Sequence, residues 1–185
     1  MPLFGPPNID RLEAKGDLAG LVNALEYPGA WRVRRDAAAA LGRIGTAEEV
    51  EPLIAALHDD NASVRIAAIG TLGQINDRRA VGPLSGALQS QAVDIRKAAA
   101  ESLGQIGDPA ALESLVACLK DPGWSVRLAA ANALGQIRDP RAAEPLSGVL
   151  EDPDAHVRRA VAYALAALGW KPNGHRVVSG AEEPR

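Results

Sequence analysis

The sequence predicts an all-α fold, an α-solenoid of five helix-turn-helix repeats of about 31 residues. Three observations predict it. Arg34, Arg65, Arg96, Arg127 and Arg158 stand 31 residues apart, and Leu41, Leu72, Leu103, Leu134 and Leu165 keep the same step. The stretches SVRIAAIGTLGQI, from Ser63 to Ile75, and SVRLAAANALGQI, from Ser125 to Ile137, are nearly the same text 62 residues apart. Within the first, Val64, Ala67, Ala68, Thr71, Leu72 and Ile75 recur at i, i+3, i+4, i+7, i+8 and i+11, the stripe of a half-buried helix. Two such helices cannot bury their apolar faces alone, but stacked neighbours can, which gives a right-handed or gently curved solenoid.

The elements follow in sequence order. Residues 1–16 read as an N-terminal segment with a short capping helix over 9–15 behind the Asn8 cap, residues 17–169 as the five repeats, and residues 170–185 as a tail. The first helices are carried by VEPLIAAL, VGPLSGAL, LESLVACL and AEPLSGVL and their counterpart in the first unit. Thr46, Asp77, Asp108 and Asp139 precede them as N-caps, with Pro109 and Pro140 at the favoured first position. Pro52, Pro83 and Pro145 stand several residues past the caps, so a short opening turn is expected before the helix restarts or kinks at the proline. The first unit is one residue longer between its helices, at EYPGAW.

The second helices end at Gly45, Asn76, Gly107 and Gly169, residues suited to a left-handed C-terminal position. Arg138 stands at the same step and calls for another geometry. Gly42, Gly73, Gly104 and Gly135 lie inside the second helices, where glycine costs about 1 kcal/mol relative to alanine; close helix approach is the expected reason. After Gly169, Trp170 with Val177 and Val178 is expected to fold against the apolar last helix, AVAYALAAL, with the final GAEEPR mobile.

Composition bounds the function. Of 185 residues, 47% are hydrophobic and 3% aromatic, so one folded unit with an aliphatic core is expected. A net charge of −3 weighs against a nucleic-acid partner. The single Cys118 cannot form an internal disulfide, and MPLFGPPNID lacks the basic and apolar regions of a signal peptide. A cytoplasmic location is expected, and no membrane association, since no apolar run is long enough to span a bilayer.

The lines VRIAAIGTLGQIND and VRLAAANALGQIRDPRAAEPLSGVL resemble the HEAT-like repeats of phycobilisome lyases, also called E–Z type HEAT repeats, over roughly residues 17–169. The opening PNIDRLEAKGDLAGLVNAL and the closing ALAALGWKP resemble the ends of small stand-alone members. The resemblance implies that the second helices line a concave face. It also implies a binding protein more than an enzyme.

At 100° per residue, one sector of each second helix lies away from the buried stripe, and residue type varies there most between units. From this sector the candidate partner-binding residues are Trp31, Arg35, Ile66, Gln74, Lys97, Glu101, Gln105, Trp124, Leu128, Asn132, Gln136, Arg159 and Tyr163. Mixed charge with apolar and aromatic islands suits a protein or peptide, and a phosphate backbone would need a continuous basic track. Trp31 and Trp124 share one register, and the sequence leaves packing beneath the inter-helix loop and anchoring of a partner equally open. The arginine column Arg34, Arg65, Arg96, Arg127 and Arg158 reads as a structural ladder to Asp59, Asp121, Asp152 or loop carbonyls. Ser90 stands in the aspartate slot of the third unit. Gln74, Gln105 and Gln136 form another column, either bridging neighbouring helices or solvated.

Catalytic signatures are missing. His58, His156 and His175 form no His-Glu pair, which iron-binding hydroxylases of this repeat type need. No zinc spacing or phosphate loop occurs, so no metal and no cofactor is expected. Cys118 falls at an apolar register and reads as a buried thiol rather than a nucleophile. Asp36 and Glu101 are two units apart, too far for a paired acid and base. The function expected is a non-catalytic protein- or peptide-binding scaffold. The alternatives are a component of a bilin or other cofactor lyase acting on a carrier protein, and, behind it, a HEAT-like nucleic-acid repair protein.

Overall fold

Each 31-residue period folds into a short first helix and a second helix of 13 or 14 residues. The computed structural model describes residues 5–170, which contain eleven α-helices, four short 3-10 turns and no strand. Helix α1 (Ile9–Ala14) comes first. The pairs follow: α2 (Leu18–Leu25) with α3 (Trp31–Ile44), α4 (Val50–Ala56) with α5 (Ala62–Ile75), α6 (Val81–Ala87) with α7 (Val93–Ile106), α8 (Leu112–Cys118) with α9 (Trp124–Ile137), and α10 (Ala143–Ser147) with α11 (Ala155–Ala167). The Asn8 side chain accepts from the Arg11 amide at 2.9 Å and starts α1. That helix lies against both α2 and α3, so it covers the N-terminal end of the stack.

The caps set where each first helix begins. Thr46, Asp77, Asp108 and Asp139 accept from backbone amides two residues on, at 2.8–3.2 Å. Each opens a 3-10 turn: Ala47–Glu49, Arg78–Ala80, Pro109–Ala111 and Pro140–Ala142. The α-helix then restarts, with Pro52, Pro83 and Pro145 as third residues of α4, α6 and α10, where a missing N–H costs least.

Two leucine columns form the core. Leu41, Leu72, Leu103 and Leu134 on the second helices are fully buried, as are Leu53, Leu84, Leu115 and Leu146 on the first. Second helices pack side by side along their length, α3 on α5, α5 on α7, α7 on α9 and α9 on α11. First helices lie chiefly against the second helix of their own unit. Small residues permit the close layer. A Cβ on Gly104 would stand 2.8 Å from the Ala133 Cα, and one on Gly135 would stand 3.0 Å from the Ala164 Cα. Two hydroxyls staple the layer: Thr71 Oγ1 donates to the Ala38 carbonyl at 2.8 Å and Ser102 Oγ to the Ile69 carbonyl at 3.0 Å. Both side chains are buried, and these bonds satisfy them.

Gly104→Ala should therefore destabilise by about 1–3 kcal/mol through overpacking against the α9 backbone. Gly70→Ala, with nothing within 4 Å of its new methyl, should stabilise by up to about 1 kcal/mol through helix propensity. Urea unfolding of the two variants checks the pair. Equal effects would mean that helix contact is not what selects glycine at residue 104.

Two helix ends differ from expectation. Arg138 takes the left-handed conformation itself, at φ 56°, as Asn76 and Gly107 do. Its amide still closes on the Leu134 carbonyl at 3.2 Å, a bond within the stack that holds a conformation disfavoured for a side chain with a Cβ. Gly45 instead is extended, at φ −72° and ψ 167°. Here Thr46 and Glu49 form a capping box, which ties up the Thr46 amide. Glycine is still required at residue 45, because a Cβ would collide with the Leu41 carbonyl oxygen. At the other end Gly169 is left-handed, Trp170 N–H donates to the Leu165 carbonyl at 2.9 Å, and the Trp170 ring packs half-buried on the core. Val177, Val178 and the final GAEEPR lie outside the described residues.

Candidate partner-binding face

The loops between first and second helices hold the arginine column. Arg34 grips Asp59 with Nε at 2.6 Å and Nη2 at 2.9 Å. Arg96 grips Asp121 at 2.7 and 2.8 Å, and Arg127 grips Asp152 at 2.7 and 2.9 Å. Each pair joins one unit to the next through a bidentate fork. In Arg96, Arg127 and Arg158, Nη1 also donates to two carbonyls of the same unit's loop. The Arg34 guanidinium holds the Asp59 carboxyl at about 2, and Arg96 and Arg127 likewise lower Asp121 and Asp152. Among the described residues Arg65 donates only to the carbonyls of Asp59 and Asp60, at 2.6 and 3.2 Å.

The variable sector runs beside this ladder. On α3, Trp31 is half-buried, with the guanidiniums of Arg32 and Arg35 at 4.7 and 5.3 Å from its ring centroid. Arg35 also holds Asp36 at 2.7 and 2.8 Å. One unit on, Ile66 is half-buried against the core, and so is Leu128 on α9. Lys97 and Glu101 pair with each other at 3.6 Å along α7. Asn132 and Arg159 are exposed. Trp124 is 49% exposed and Tyr163 70%. The Trp124 and His156 rings stand 6.0 Å apart between α9 and α11. Val93, 41% exposed at the start of α7, lies near Gly123, beside Trp124.

The glutamine column does not bridge helices by hydrogen bonds among the described residues. The side-chain oxygens of Gln74, Gln105 and Gln136 instead lie over Gly42, Gly73 and Gly104 of the preceding second helix, where a Cβ would otherwise stand. Sequence reasoning missed the hydroxyl staples of Thr71 and Ser102. The signal was present: a hydroxyl residue at a step where Ala40, Ala133 and Ala164 stand in the other units.

The remaining chemistry is sparse. Cys118 is buried, and desolvation pushes its thiol up to about 11, which keeps it protonated and a poor nucleophile. Among the described residues no group of His, Cys, Asp and Glu could hold a metal ion, and no helix is long and apolar enough to cross a membrane.

Known proteins bear on the fold and family. The HEAT repeats model matches residues 50–127 and 113–178, and the PBS lyase HEAT-like repeat model matches residues 33–59. No curated protein matches the sequence. The complex of CpcE and CpcF of phycocyanin lyase from Nostoc sp. PCC7120 is 26% identical, with a TM-score of 0.76, over 94% of this protein and 70% of that one. A designed armadillo repeat protein in complex with peptide (KR)4 is 21% identical, with a TM-score of 0.66, over 89% and 87% of the two proteins. Human deoxyhypusine hydroxylase in complex with glycerol is 22% identical, with a TM-score of 0.57, over 86% and 76%. The last two share the fold alone. With the HEAT models covering most of the length from residue 33 to residue 178, this protein belongs to the HEAT-repeat family.

Proposed function

We propose that the protein is a non-catalytic scaffold that binds a protein or peptide across the sector formed by its second helices. One observation carries the reading. Among the described residues the large apolar side chains left exposed are Val93, Trp124 and Tyr163, and all three stand on second helices of the last three units. Aromatic side chains surrounded by polar groups concentrate binding energy, and Lys97, Glu101, Asn132 and Arg159 supply the polar surround. The second helices also contact one another more fully than the first helices do. The layer with the closer spacing is the inner side of a curved stack, which supports a concave placement.

A Trp124→Ala, Tyr163→Ala variant should stay folded and lose about 2 kcal/mol or more of partner affinity, a typical hot-spot cost. That is roughly 30-fold. Leu128 is left intact because its half-buried side chain also supports the core. The check compares wild type, this variant and Glu113→Ala on the first-helix side for a partner recovered from source-cell lysate. A partner held equally by all three would move the binding surface elsewhere.

The likeness to the CpcE and CpcF complex supports a second reading, in which the protein is a component of a bilin or cofactor lyase acting on a carrier protein. Buried, protonated Cys118 offers no covalent attachment point for a tetrapyrrole, so this subunit's part would be to position carrier and pigment. Absorbance titration with a free bilin separates the two readings.

A further inference from the structure

The second and third units meet at an arginine without its carboxylate. Arg34, Arg96 and Arg127 each hold, with Nε and Nη2, the aspartate 25 residues ahead. For Arg65 that step falls on Ser90. Ser90 keeps half of the aspartate's work: its Oγ accepts from the Ala92 amide at 3.2 Å, as Asp121 accepts from Gly123 and Asp152 from Asp154. It gives nothing to the arginine. The Arg65 guanidinium is nonetheless oriented as in the other units, because Nη1 rests on the Asp59 and Asp60 carbonyls just as Nη1 of Arg96 rests on those of Ser90 and Gln91. Among the described residues Nε and Nη2 of Arg65 have no acceptor, while both Arg65 and Ser90 remain partly open to solvent. The Asp60 carboxylate, 87% exposed, bonds Arg34 through one oxygen at 2.5 Å and forms no ion pair with Arg65.

We infer that this fork is a carboxylate-binding site, filled by an Asp or Glu side group or the terminal carboxylate of a docked polypeptide. The chemistry is set by the other units. A carboxylate fits three of these forks bidentately, and a guanidinium already fixed through Nη1 loses little freedom on accepting a fourth. The site stands immediately before Ile66, at the edge of the second-helix sector, yet it does not require that sector to be the main docking surface. Arg158 offers no comparison, since its 25-residue step falls at residue 183, outside the described residues.

The test is an acetate titration of the full-length protein, followed through the arginine Nε–H resonances, against chloride at equal ionic strength. Arg65 should show a saturable shift, while Arg96 and Arg127, with their forks filled, should not move. Ser90→Ala leaves the fork open and should keep the response. Ser90→Asp should abolish it and bring the Arg65 resonance to the position of Arg96 and Arg127 without acetate. A shift of Arg65 that is linear in acetate and matched by chloride would overturn the proposal. So would an unchanged acetate response in Ser90→Asp.

Discussion

Leu103→Ala is expected to destabilise the stack by about 2–5 kcal/mol, the range for deleting a buried leucine where the surroundings close only partly. The site favours the upper half. Leu103 is fully buried on α7, in the third of five units, with Leu72 and Leu134 in the units on either side. Collapse is resisted because Gly73, Gly104 and Ser102 already bring the neighbouring backbones to near contact. Urea unfolding measures the loss, and a value near that of a surface change, below about 0.5 kcal/mol, would place residue 103 off the core face.

Asp121→Ala should cost about 3 kcal/mol, at the low end of the range for removing one partner of a buried ion pair. The Arg96 and Asp121 side chains are 11% and 8% exposed, so the arginine left behind has little solvent to replace its partner. The Gly123 amide loses its acceptor as well. Acid should reveal the same pairs. Arg34, Arg96 and Arg127 hold Asp59, Asp121 and Asp152 below the usual carboxylate range, Asp59 at about 2. A depressed carboxyl stabilises the fold above its unfolded value of about 3.9 and loses that contribution as pH falls toward the folded value. The urea midpoint should therefore hold from about pH 7 to 5 and fall between about pH 4 and 2, less steeply in Asp121→Ala than in wild type. Identical slopes would mean that the Arg96 pair contributes nothing to folding.

Periodicity made most of the fold legible. Leucine and alanine at fixed steps specify which helix face is buried, and a capping residue followed by proline specifies where a helix starts, because both are local steric and hydrogen-bonding demands. What stayed hidden depends on backbone geometry at the helix ends and on neighbours across the stack. The Cβ clash at Gly45 involves a carbonyl one turn back, in a conformation set by the Thr46–Glu49 box. The left-handed Arg138 closes its own amide on the Leu134 carbonyl one turn back. The Gln74, Gln105 and Gln136 column could be seen, but not that its amides rest on glycine backbone. In the binding sector, residue type marked which positions vary. It could not separate Trp124, which stands out from the stack, from Leu128 four residues later, which leans into it. That difference comes from where each stands on α9: Trp124 opens the helix beside His156, and Leu128 sits a turn further in against the core.

The 25-residue reach from arginine to aspartate carries a rule for how such a solenoid changes length. Excising residues 77–107, one whole period, would bring Asp121 to the step now held by Ser90, and Arg65 would meet a carboxylate across the new seam. Duplicating a period that excludes Ser90 preserves every fork in the same way, whereas duplicating 77–107 would set a second arginine, the copied Arg96, opposite a serine. A gain or loss of another length inside a helix rotates the residues beyond it out of phase, so that leucines, glycines and arginines miss their partners together, whereas a loop can absorb it, as the extra residue at EYPGAW shows. The ladder thus acts as a reading frame for whole modules. The serine at position 90 is an in-frame exception: it leaves the phase of the stack intact while freeing one arginine.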